Sequence, residues 1–233
     1  MDQALFQLIN ERWTHPVLDL FMAAISHIEI WRPLLVLAAL ALLIWGGFRG
    51  RAFVLCLLLS LLIAEQVTGA LKAVVDRRRP KQAQRVRMVE LQRANPEFLR
   101  MFKQPTIRYS GRRDQNRGGP SFPSGHTANN TVIAVCCTLF YWRRGWLYWI
   151  IAAAVGYSRI YLGAHWPSDV IATVFLGVGE ALLILALLEW LWRRLGPRQF
   201  PDVYQRHPSL VKVRQRSKLP CDSGSQVENL RPK

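Results

Sequence analysis

The stretch VIATVFLGVGEALLILAL (170–187) holds one charged residue, and wound as a helix it offers no polar face to water. A helix that is apolar all round belongs inside a large core or a bilayer. Crossing a hydrocarbon core takes about 20 predominantly apolar residues. Apolar blocks recur at 17–30, 33–48, 52–75, 127–142, 146–163 and 170–192, and the third and sixth meet that length outright. The first is the weakest, being short and carrying Asp19, His27 and Glu29. The chain is 51% hydrophobic yet carries a formal charge of +16. These facts are compatible because most Lys and Arg lie between the blocks. The segregation argues against a soluble bundle and predicts an all-α integral membrane bundle of six transmembrane helices, with five as the alternative.

The first residues, MDQALFQLINERW, lack the basic start and apolar centre of a cleavable signal. Ala4, Leu5, Leu8 and Ile9 share one side of a helix, with Phe6 and Trp13 beside it. That pattern fits a short amphipathic helix lying on the bilayer, and a frayed terminus is the plain alternative. Cys56, Cys136 and Cys137 sit in apolar blocks and Cys221 near the end, without metal-type spacing, as small buried hydrophobes do. Residues 1–195 therefore read as one membrane domain. Residues 196–233 are polar, basic and aperiodic, which predicts a disordered tail.

Six spans place four segment ends on one face: the end of 52–75, the start of 127–142, the end of 146–163 and the start of 170–192. The short turns of the opposite face carry Arg49, Arg51, Arg143 and Arg144, followed by Arg193 and Arg194. Positive charge in short loops marks a cytoplasmic face, so the four ends are expected on the extracytoplasmic side. The thirteen Lys and Arg of loop 77–117, on that same side, weigh against this.

Each of the four ends carries unusual polar residues. Lys72 still lies inside an apolar block, where a charge is costly and usually functional. Arg79 follows seven residues later, near the same helical face, and Pro80 is expected to end the helix there. Arg77 and Arg78 read as headgroup-binding charges. In PSFPSGHTANN, Ser124 is placed to cap a helix starting at Gly125, whose backbone admits an oxyanion to the helix N-terminus. His126 stands in its first turn. In SRIYLGAHWPSD, Pro167 suits the first helical position and puts Asp169 at the third. From there a carboxylate folds back towards the residues before the helix. It could hold one nitrogen of His165 and leave the other free to attack phosphorus. Two other readings remain: Asp169 only caps the helix, or the histidines and carboxylate hold a metal. Lys72, Arg79 and Arg159 aimed at one place would repel a metal and attract an oxyanion.

These three segments resemble the signature of the type 2 phosphatidic acid phosphatase superfamily: K-x6-RP (Lys72 to Pro80), PSGH (Pro123 to His126) and SR-x5-H-x3-D (Ser158 to Asp169). Every signature position is matched in order, and the triple match is far more specific than any one motif. The resemblance covers roughly 17–195. It implies a lipid phosphatase in which His165 attacks phosphorus to form a phosphohistidine, Asp169 orients it and His126 protonates the leaving oxygen. Lys72, Arg79, Ser124, Gly125 and Arg159 would hold the phosphate. It implies no cofactor and no metal. The partners would be the bilayer and a phosphorylated membrane lipid, with no nucleic acid: a polyprenyl diphosphate, phosphatidic acid or phosphatidylglycerol phosphate, or lipid A. The same site would serve a phosphotransferase, and its cations a non-enzymatic lipid carrier. Loop 81–120 is read either as a recruiter of anionic headgroups, through Arg85, Arg87, Arg93, Arg100, Lys103, Arg108, Arg112, Arg113 and Arg117, or as a solvated loop drawn to anionic lipid. Nothing in the sequence sets an oligomeric state.

Overall fold

A computed structural model of the chain describes residues 1–115 and 118–211. Arg117 and the tail from 212 onward lie outside these residues. Helix α1 (Asp2–Gln7) runs into a π-helical turn, Leu8–Arg12, and is followed by α2 (Pro16–Ser26), α3 (Ile28–Trp45) and α4 (Gly47–Val75). A polar excursion then holds α5 (Pro80–Ala83), β1 (Arg87–Glu90), β2 (Thr106–Tyr109) and α6 (Arg112–Gln115). The chain continues through α7 (Gly125–Tyr141), α8 (Tyr148–Tyr161), α9 (Pro167–Gln199) and α10 (Pro201–Arg206).

Three helices, α3, α4 and α9, are long and apolar enough to cross a membrane. At about 1.5 Å per residue, α9 is roughly 50 Å long, well beyond a hydrocarbon core of about 30 Å. Helix α2 has only 11 residues. That is about 16 Å, half a core. Both of its ends touch the last turn of α8. The Tyr161 hydroxyl donates to Asp19 Oδ1 at 2.6 Å, and Arg159 Nη1 donates to Ser26 Oγ. Helix α2 thus lies against the end of α8, and the expected first span is too short to cross a hydrocarbon core by itself. The cause is legible in Asp19, 2% exposed, which is neutralised by the Arg87 guanidinium at 2.7 Å rather than left in lipid.

Helices α4, α7, α8 and α9 pack side by side in alternating directions. Far from the polar excursion, Phe53 meets Phe140 edge to face at 5.5 Å. Close approach of α9 to α7 depends on Gly177, where a Cβ would come within 3.0 Å of Thr131 Cβ. Small residues serve helix contacts in lipid in this way, where burial of apolar surface gives no drive.

The excursion departs from an all-helical fold. Strands β1 and β2 pair antiparallel, from Arg87 opposite Tyr109 to Glu90 opposite Thr106. Val86 and Val89 from this ribbon are buried against Ile160 and Tyr161. Several of its arginines pair with carboxylates of the fold, and Arg87 and Arg108 are consumed in this way rather than left free to recruit headgroups. Arg87 pairs with Asp19, Arg100 with Glu97 at 2.6 Å, and Arg108 with Glu90 at 2.6 Å and Asp114 at 2.7 Å.

Both terminal expectations also change. Phe6, Ile9 and Asn10 are buried while Ala4 and Leu5 are exposed, so the first helix docks on protein through a face that shares only Ile9 and the half-buried Leu8 with the one expected to meet lipid. Asn10 is held at both ends of its amide: Nδ2 donates to the Arg87 and Tyr161 carbonyls, and Oδ1 accepts from Arg87 N. At the other terminus, residues 196–211 are ordered. Helix α9 runs to Gln199, and α10 returns His207 to stack on Phe48 at 4.3 Å.

Candidate active site

Four helix ends meet beside the polar excursion. Ser124 N–H donates to Thr173 Oγ1 at 3.0 Å, which ties the start of α7 to the first turns of α9. The last turn of α4 brings Lys72 alongside: its Nζ lies 3.8 Å from where a Cβ on Gly125 would stand. Helix α4 stops at Val75, with Asp76 in a left-handed conformation, four residues earlier than Pro80 alone suggested. Lys72 and Arg79 therefore do not share a helical face. Extended backbone carries Arg79 back over the site, where its Nε donates to the Gly119 carbonyl at 2.8 Å. Helix α8 supplies Arg159 from its last turn.

Ser124 is the residue before α7, as expected, yet its side chain makes no capping bond. Its Oγ instead accepts from Thr127 Oγ1 at 2.9 Å, which leaves its own proton available to a ligand. The first N–H groups of α7 have no partner within the helix, and with the helix dipole they form an anion site. The charges of Arg159, Lys72 and Arg79 converge on His126 in the first turn. Arg159, Arg79 and His126 in turn act on His165, so both histidines share two of these cations.

His165 is 3% exposed, in the short connection between α8 and α9. Its Nδ1 lies 2.6 Å from the main-chain carbonyl of Ser121. A carbonyl only accepts, so Nδ1 carries the hydrogen and Nε2 keeps its lone pair. Burial holds the imidazole pKa well below its ordinary 6.5, and Arg159 and Arg79 push it the same way.

Asp169 does not bond His165 directly, contrary to expectation. It is wholly buried and caps α9 by accepting from Trp166 N–H at 3.1 Å. The same Oδ2 accepts from the Ser121 hydroxyl at 2.5 Å, and Oδ1 from Arg77 Nη1 at 2.5 Å. The carboxylate reaches His165 through Ser121: its side chain holds the hydroxyl, and the main chain of that residue holds the imidazole. Arg77 is likewise no headgroup charge, since it also bonds Ser168 Oγ at 2.9 Å and Asp2 at 2.7 Å. Sequence reasoning missed Ser121 and Arg77. Inside the RRR run nothing separates one arginine from the next, and Ser121 acts through a main-chain atom that any residue has. Among the described residues, no cluster of three or more His, Cys, Asp or Glu is placed to hold a metal.

The PAP2 superfamily model matches residues 53–193, and the chain belongs to that family. Its relatives include the bacitracin transport permease protein BcrC of Bacillus licheniformis, 47% identical over 28% of this chain and 32% of that one. A lipid A 4'-phosphatase of Bacteroides thetaiotaomicron is 29% identical over 70% of this chain and 66% of its own length. An undecaprenyl-diphosphatase of Sulfolobus acidocaldarius is 31% identical over 74% and 71%. The chain thus spans about a third of the first of these relatives and just under two thirds of the second. In fold it is similar to Aquifex aeolicus LpxE, with a TM-score of 0.57 and 24% identity over 79% of this chain and 94% of that one.

Proposed function

We propose that this chain is a membrane lipid phosphatase that cleaves a phosphomonoester or diphosphate of a lipid through a phosphohistidine on His165, without a metal. The observation that carries the proposal is the bond from His165 Nδ1 to the Ser121 carbonyl, which leaves Nε2 as a neutral nucleophile beside three cations. Nε2 attacks phosphorus while Lys72, Arg79, Arg159, the Ser124 hydroxyl and the Gly125 end of α7 take the non-bridging oxygens. The bond from phosphorus to the leaving oxygen breaks, its electron pair stays on that oxygen, and His126 supplies the proton. Water then attacks the phosphohistidine, returns a proton to His126 and gives the P–N pair back to His165.

In the membrane, α3, α4, α7, α8 and α9 make five crossings, and α1 and α2 rest on the catalytic side. Arg49, Arg51, Arg143, Arg144, Arg193 and Arg194 fall at the far end, and positive charge there supports a site on the extracytoplasmic face. The substrate classes are those of the family: polyprenyl diphosphate, phosphatidic acid or phosphatidylglycerol phosphate, and lipid A. The test is phosphate release from a panel of these lipids by purified protein, with and without EDTA. Turnover that survives EDTA and vanishes in His165→Ala supports the mechanism. Turnover that needs added Mg²⁺ or Zn²⁺ would sink its metal-free form. Lipid transport retained in His165→Ala, with no phosphate released, would favour a carrier. Phosphoryl groups recovered on an added lipid alcohol would mark a phosphotransferase.

A further inference from the structure

A cavity of about 450 Å³ opens beside the site, between the α2–α3 junction and the ribbon, lined by Ser26, His27, Glu90, Arg93, Arg100 and Arg159 among others. Arg159 joins it to the phosphate cradle, and its Nη1 donates to Ser26 Oγ on the cavity wall. Arg159 is also among the cations that act on His126, the proton donor to the leaving oxygen. The cavity therefore lies where the leaving group departs.

Its polar groups are asymmetric. Arg100 Nη1 lies 2.7 Å from His27 Nε2, and an arginine has no acceptor, so Nε2 accepts and the hydrogen sits on His27 Nδ1. That Nδ1 is buried without a hydrogen-bond partner among the described residues, and so is Arg159 Nε. Buried N–H donors left unpaired are costly, which makes a place for an acceptor. Arg93, exposed, adds a third cation. The acidic neighbours are already engaged, Glu90 with Arg108 and Glu97 with Arg100.

Building on the phosphatase reading, we propose that His27, Arg93 and Arg100 form a second anion subsite that holds a phosphoryl group on the leaving side of the scissile bond. The preferred substrate is then a lipid diphosphate, whose terminal phosphate lies in the cradle and whose inner phosphate departs, still charged, into this cavity. A leaving alcohol would bring nothing to occupy the donors. All three residues lie outside the signature motifs.

The test compares farnesyl diphosphate with farnesyl monophosphate, which share one tail, on the detergent-solubilised full chain. Wild type is expected to favour the diphosphate in kcat/KM by tenfold or more. Losing one charge-assisted bond is worth about tenfold, so Arg93→Gln and Arg100→Gln should bring that preference down by about that factor. Arg93→Gln is the cleaner variant, because Arg100 also pairs with Glu97. A preference absent in wild type, or the same in both variants, overturns the subsite while leaving the phosphatase intact. If wild type turns over neither compound, the phosphatase reading fails and a binding measurement still judges the subsite. Inorganic pyrophosphate should then bind at least tenfold more tightly than orthophosphate in thermal-shift titrations, with the gap closing in Arg93→Gln. Equal binding of the two anions refutes it.

Discussion

Ser121→Ala tests whether Asp169 governs His165 through an intermediary. The substitution removes one hydroxyl and keeps the main-chain carbonyl that holds His165 Nδ1 at 2.6 Å. Asp169 loses its 2.5 Å bond from Ser121 but keeps Trp166 N–H and Arg77. A hydrogen bond to a charged, buried acceptor contributes about 1.5–3 kcal/mol. If all of it positions the imidazole in the transition state, kcat falls between roughly 10-fold and 150-fold. Asp169→Asn should cost more, because it also leaves the half-exposed Arg77 facing a neutral amide. The assay is single-turnover phosphoryl transfer to His165, with thermal unfolding measured in parallel to separate positioning from loss of fold. A Ser121→Ala rate within twofold of wild type, beside an Asp169→Asn rate near zero, would refute the relay. It would mean that the carboxylate turns to His165 directly when substrate is bound.

Three further outcomes follow from the same geometry. Burial, Arg159 and Arg79 keep His165 neutral in the folded protein, so the acid limb of kcat/KM that belongs to it should lie clearly below pH 6.5. The unfolded chain takes up that proton first, so its share of stability is present above pH 6.5 and lost as pH falls towards the folded pKa, visible as a falling Tm. Asp19→Ala strands the nearly buried Arg87 and should cost about 3–5 kcal/mol in denaturant titration, whereas Asp19→Leu with Arg87→Met should recover most of it. Phe6→Ala empties a fully buried position packed on Trp166 at 5.2 Å. A loss of about 3–5 kcal/mol should free the first helix, read as faster tryptic cleavage after Arg12.

The sequence carried the spans and the identity of the cradle, because both rest on local facts: the length of an apolar run and the residue type at its end. Counting crossings brought Lys72, Gly125, His126, Arg159, His165 and Asp169 to one place, and even a first span too short to cross left that grouping alone, since it depends only on the parity of the later helices. What stayed hidden was pairing. Asp19 looked like a flaw in a weak span because its partner Arg87 lies 68 residues away on a strand. Arg87 looked free for the same reason, and Arg108 partly so, since its partner Glu90 lies 18 residues back across the ribbon. Periodicity misplaced the docked face of the first helix because the polar, wholly buried Asn10 joins Phe6 and Ile9 on it.

The short α2, folded against the end of α8, has a consequence for topology as a whole. The five crossings proposed above are an odd number, which would put α1 and α10 in different compartments. If the arginine-rich end is inside, α1 and α2 lie outside. Residues 1–26 carry Asp2, Glu11 and Asp19 against the lone Arg12, a charge balance that does not hold them back. Epitope tags at the two termini of intact cells should therefore answer to antibody from opposite sides.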